Sequence, residues 1–125
     1  MRKLLALALF ILGFLVSDAH AGQAFDHKAF EAAQAADKPI LVDITAPWCP
    51  TCRKQKPIIA AIEADPAFAG LLVFHVDYDT DRDALWDFKV QRQATLIIFK
   101  GKEERGRSVS ETDADKIREM VKKAF

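Results

Sequence analysis

The chain has 125 residues, half of them apolar and 29% charged, the balance of one globular domain rather than two. Eighteen Lys and Arg stand against eighteen Asp and Glu, so charge gives no basis for a nucleic-acid or acidic-membrane partner. With only two cysteines, Cys49 and Cys52, a four-thiolate zinc site within one subunit is excluded.

The chain opens like an export signal. Arg2 and Lys3 form a positive n-region, residues 4–16 are apolar apart from Gly13, and Ala19-His20-Ala21 supplies the small-x-small pattern of a cleavage site. The apolar run is roughly 13 residues against the ~20 of a bilayer-crossing helix. We therefore expect residues 1–21 to be a cleaved signal peptide and residues 22–125 a domain that does not span the membrane. No cysteine follows the cleavage region to carry a lipid, and Arg2-Lys3 is not a twin-arginine signal. Export in the unfolded state to a bacterial periplasm is the expectation.

Phe25, Ala29, Phe30, Ala33 and Ala36 recur at helical spacing, predicting a short helix that ends near Asp37. Pro39 introduces Ile40-Leu41-Val42-Asp43-Ile44, an apolar run containing one acid, which reads as a buried strand. The stretch from Pro47 to Cys52 is the turn into a helix with Ile58, Ile59, Ala61 and Ile62 on its apolar side. Pro57 should interrupt and kink that helix, since proline removes a backbone donor.

Residues 71–76 read as a second buried strand. Thr80 and Asp83 form a capping-box pattern for a helix carrying Leu85 and Phe88. A third strand covers 95–99, Gly101 marks a turn, and residues around 103–107 return as an edge strand. Thr112 or Asp113 caps a last helix bearing Ile117, Met120, Val121 and Ala124. The order α-β-α-β-α-β-β-α predicts an α/β fold, a mixed sheet with helices on both faces. Asp77, Asp79, Asp81 and Asp83 alternate like a calcium loop, but Arg82 stands where glycine is needed and Phe88 where the closing Glu belongs. These acids read as a strand end and a helix cap, and Arg53, Lys54 and Lys56 as a solvated helix face.

Chemistry concentrates between the first strand and the second helix. A Cys-x-x-Cys pair outside the cytosol is a redox couple, a metal site or a structural disulfide. Closing so short a loop restrains the unfolded chain weakly, which favours the redox couple over the staple. Cys49 falls at a helix N-terminus, where free N–H groups and the dipole favour a thiolate. Cys52, one turn on, is expected to face inward and be the less accessible.

The segment Trp48-Cys49-Pro50-Thr51-Cys52 resembles the active site of the thioredoxin superfamily. The resemblance includes Asp43 six residues before the first cysteine, Pro57 in the helix, and a closing strand pair with a turn at Gly101. It implies the thioredoxin fold and a monomeric protein-disulfide oxidoreductase that needs no cofactor or metal. Cys49 would attack a substrate disulfide, Cys52 would resolve the mixed disulfide, and Asp43 would accept the proton of Cys52 through water. His75, where such proteins often carry lysine, is either a core residue or a relay partner of Asp43. Trp48, Pro50, Thr51, Gln93, Ala94 and Thr95 would face the substrate. Ala94 stands where the family has a cis-proline; a cis bond before a non-proline costs ~3 kcal/mol, so Gln93–Ala94 should be trans. The run from Asp37 to Asp43 is similar to the C-terminal domain of DsbD-type membrane disulfide reductases, which implies protein disulfides as substrates and a membrane electron donor of the DsbD/CcdA type. Two other readings remain: a module holding copper(I) or a shared iron–sulfur cluster through the cysteines, and a chaperone-like module with a structural disulfide.

Overall fold

In the computed structural model the described residues are 22–125; the export signal expected over 1–21 lies outside them. The sheet has five strands in the order β1-β3-β2-β4-β5. They are β1 (Gln23–Ala24), β2 (Pro39–Thr45), β3 (Leu72–Asp77), β4 (Thr95–Lys100) and β5 (Glu103–Val109). β3 runs parallel to β1 and β2, β4 pairs antiparallel with β2, and β5 antiparallel with β4. A central strand flanked on both sides and covered on both faces must be apolar along its length. Ile40, Leu41, Val42 and Ile44 of β2 accordingly have no solvent exposure.

The alternation of side chains along each strand sorts the core into two layers. Val42, Ile44, Phe74, Val76, Ile97 and Phe99 meet helices α1 (His27–Ala35) and α3 (Arg82–Asp87) on one face. Leu41, Val73, Leu96 and Ile98 meet α2 (Pro50–Ala64) and α4 (Ala114–Lys122) on the other. The first layer is aromatic, with Phe30 edge-on to Phe74, Phe88 and Phe99. The sheet with helices on both faces is the predicted architecture. Gly101 closes the β4–β5 hairpin at φ +56°, where an added Cβ would press on the Asp37 carboxylate.

Three local expectations are corrected. β1 was not anticipated, because two exposed residues carry no periodicity and only their pairing with Phe74 and His75 makes a strand. The Thr80–Asp83 capping box does not form: the N-cap is Asp81, while Asp77 accepts the N–H groups of Asp79 and Thr80. The short loop spends its carboxylates on its own turn before the helix begins. Helix α2 is not interrupted at Pro57 but runs unbroken to Ala64; tertiary packing of Ile59 and Ile62 beyond the proline outweighs one lost backbone bond. Asp113 caps α4, accepting from the N–H groups of Asp115 and Lys116.

Candidate active site

The chain leaves β2 at Thr45 and turns at once into α2, with Cys49 as N-cap. The Cys49 N–H donates to the Ala46 carbonyl at 3.2 Å, and the Cys52 N–H donates to Cys49 Sγ at 3.1 Å. A cap position normally takes an oxygen acceptor; here sulfur fills it, so the free donors of the first turn point at the thiol that would become anionic. Cys49 and Cys52 are joined by a disulfide with their Cα atoms 5.3 Å apart. Both are buried, at 1% and 5% exposure, packed with Ala46 and Ala94. The expected difference in accessibility is absent in this oxidised form, because Ala94 closes over Cys49 as well.

Trp48 is half exposed beside the pair. Its indole N–H donates to the Asp79 carboxylate at 2.9 Å, and its ring lies edge-on to Tyr78. Asp79 is therefore more than part of a strand end or helix cap: it fixes the tryptophan. Pro50 is exposed and Thr51 partly so.

The loop facing the cysteines departs from the resemblance in geometry as well as in sequence. The Gln93–Ala94 bond is trans, and Ala94 sits at φ +58°, a left-handed conformation costing an alanine about 1 kcal/mol. The surroundings hold it there. Its N–H donates to the Ile44 carbonyl at 2.8 Å, and its carbonyl accepts from the Ser110 N–H at 2.9 Å and from Gln55 Nε2 at 3.2 Å. Ala94 and Thr95 were expected to face the substrate; both are buried, and the Thr95 hydroxyl donates to the Arg92 carbonyl at 2.7 Å. Gln93, partly exposed, is the member of that trio at the surface.

Gln55 escaped the sequence reading, although its signal was present. Cys52, Gln55, Ile59 and Ile62 are the buried residues of α2, spaced as one helical stripe, and a glutamine within such a stripe has a polar task. It ties α2 to the Ala94 loop and, through its bond to the Glu111 carbonyl at 2.9 Å, to the segment before α4.

Asp43 lies on the α2-covered face of β2, in register with His75 on β3 and Leu96 on β4. The acid is buried, and its Oδ2 is 2.9 Å from His75 Nδ1. His75 and Asp43 are thus a contact pair, which is the arrangement a relay partner requires. Glu63, on α2, is a third member that sequence spacing did not mark. Burial pushes its carboxyl above the usual carboxylate range and nearby Asp43 adds to this, while the Gly22 backbone and the proximity of His75 pull it down. Beyond Tyr78 runs a groove of about 640 Å³ whose walls include Leu85, Trp86, Val90 and Gln91. Trp86 is 85% exposed there, an uncommon state for the largest apolar side chain.

A mixed sheet of this order carries the disulfide at the start of the helix that follows its central strand. Comparison with known proteins gives the family. The Thioredoxin family model matches residues 21–123, and the chain belongs to the thioredoxin family. It is 37% identical to Trxlp from Edwardsiella tarda, whose crystal structure superposes with a TM-score of 0.77 over 79% of this chain and 96% of that one. It is 36% identical over 73 residues to a Thioredoxin H-type of Brassica oleracea, covering 58% of each chain. It is also 36% identical over 66 residues to a Thioredoxin of Mycobacterium bovis, covering 53% of this chain and 56% of the relative. The chain thus spans somewhat over half the length of these curated relatives.

Proposed function

We propose that this protein is a periplasmic thiol–disulfide oxidoreductase that reduces protein disulfides through Cys49 and Cys52. The observation that carries the reading is the Cys49 sulfur at the N-cap of α2, accepting the Cys52 N–H. Once the pair is reduced, the same donors stabilise a thiolate on Cys49. That thiolate attacks one sulfur of a substrate disulfide, forms a mixed disulfide and expels the other substrate sulfur as thiolate. Cys52 then gives up its proton, with Asp43 as the acceptor through water, and attacks Cys49 Sγ. The Cys49–Cys52 disulfide re-forms, the second substrate sulfur leaves as thiolate, and two electrons have passed to the substrate.

In an exported protein the dithiol must be restored from outside. The signal-like segment 1–21 and the similarity of the Asp37-to-Asp43 run to DsbD-type reductases support a membrane donor of the DsbD/CcdA type, passing two electrons by dithiol exchange. Substrate binding is adapted to this chain. Because the Ala94 amide and carbonyl are engaged internally, the partner strand is held by Gln93, the Trp48–Tyr78 surface and the groove bearing Trp86.

A Cys52→Ala variant expressed with its own export signal tests this reading. It is expected to accumulate mixed disulfides on Cys49 with both substrates and donor, identifiable by mass spectrometry. Absence of any thiol-sensitive adduct, together with failure of the wild-type protein to reduce insulin disulfides with dithiothreitol, would remove the catalytic reading.

A further inference from the structure

Three observations meet at one residue. Gly22 follows the Ala19-His20-Ala21 pattern at which the signal would be cut. It adopts φ +68°, and a Cβ built on it would overlap the His75 ring, so the fold itself requires glycine there. Signal cleavage makes no such demand, since it reads the small residues on the other side of the bond. Finally, the Gly22 backbone lies near enough to the Glu63 carboxyl to hold its pKa down against burial. The residue whose amide cleavage would turn into ammonium therefore already lies against an acid and beside the histidine that holds Asp43.

We infer that the α-ammonium of mature Gly22 is a working part of the redox site, seated between Glu63 and His75 and biasing the His75–Asp43 pair. The inference rests on the export reading above. Among the described residues the titratable groups facing the site are Asp43 from β2, His75 from β3 and Glu63 from α2. Before processing, two carboxylates share this part-buried place with one histidine and a neutral amide. Glu63 then opposes folding as pH rises: its folded pKa lies above the unfolded one, so the stability present in acid declines as pH passes through the folded value. Cleavage adds a positive charge beside Glu63. That charge favours ionised Glu63 and disfavours protonated His75. Because the unfolded chain is what crosses the membrane, the cluster is completed only in the compartment where the dithiol works.

The test compares a chain beginning at Gly22 with one that keeps Ala19-His20-Ala21. Residues 22–125 contain the whole sheet and both core layers, so both forms fold. NMR titration is expected to place the His75 midpoint lower in the Gly22-terminated form by about half a unit or more. Its α-amine is expected to titrate above the ordinary ~7.7–8.0 and to fall back in Glu63→Gln. The acid limb of the pH–rate profile for insulin reduction should also move to lower pH. Identical His75 midpoints, with an amine indifferent to Glu63→Gln, would overturn the inference. These titrations need no turnover, so they stand apart from failure of the catalytic reading. The mass of the protein processed in cells separately reports whether cleavage falls before Gly22; a different mature end would also overturn it.

Discussion

Two walls face each other across the disulfide, and they are built on different principles. The wall that carries Cys49 is local. A turn after β2, a proline at N1 and a sulfur in the cap position make a helix start from ten consecutive residues. The Ala94 wall is non-local. Its left-handed alanine is held by Ile44 from β2, Ser110 from beyond β5 and Gln55 from α2, each distant in sequence. A local wall resists change anywhere except at its own residues; a non-local one is only as firm as its supports. The difference teaches where variation is tolerated: the cysteine pair is confined to a short motif, whereas the loop facing it depends on the rest of the fold.

The largest expected effect tests the local wall. Cys49→Ser should abolish disulfide reduction while leaving the fold intact, since the disulfide closes a loop too short to restrain the unfolded chain much. Residual turnover in an insulin assay would place the nucleophile elsewhere. Ala94→Pro then tests whether the other wall is set by its own residue. Proline cannot take φ +58° or donate to Ile44, so a loss of about 3 kcal/mol is expected in denaturant unfolding. Wild-type stability would mean that the loop re-forms around a proline and that the alanine alone dictates the present shape.

Smaller effects sharpen the contrast. Gln55→Ala removes two hydrogen bonds and buried volume, with an expected loss of about 2 kcal/mol and faster amide exchange at Ala94. Trp86→Ala should raise KM for a protein disulfide several-fold, about 1 kcal/mol, without changing the rate toward a small aromatic disulfide; equal effects on both would detach the groove from substrate binding. Ala94→Gly should raise stability by about 0.5 kcal/mol, relief of the left-handed strain exceeding the added chain entropy of glycine.

Legibility followed the same division. The strands around Ile40–Ile44 and Val73–Val76 were readable because a strand buried on both faces must be continuously apolar. The Asp113 cap and the Gly101 turn were readable because each satisfies a need within a few residues. Cys49 and Cys52 stood out for their spacing after such a strand, and Asp43 as the one acid within it. Gln55 could have been found from its place in the Cys52–Ile62 stripe. Glu63, by contrast, looks like any surface glutamate of a charged helix, and only the approach of Gly22 and His75 gives it a partner. Ala94 and Thr95, expected at the substrate surface, lie buried because residues from distant elements pack around their loop, which its own sequence does not record.

What the sequence determined by itself is the order of the elements after β1, the mixed sheet with helices on both faces, and the Cys-x-x-Cys pair at a helix N-terminus. Those follow from hydrophobic period, capping chemistry and a motif contained in adjacent residues. Only the tertiary structure decided that Cys49 is as covered as Cys52, that Ala94 spends its backbone bonds internally, and that Asp43, His75, Glu63 and Gly22 form one group. Each of those facts depends on atoms brought together from several elements. Their energies arise from burial and close approach, which linear spacing does not encode.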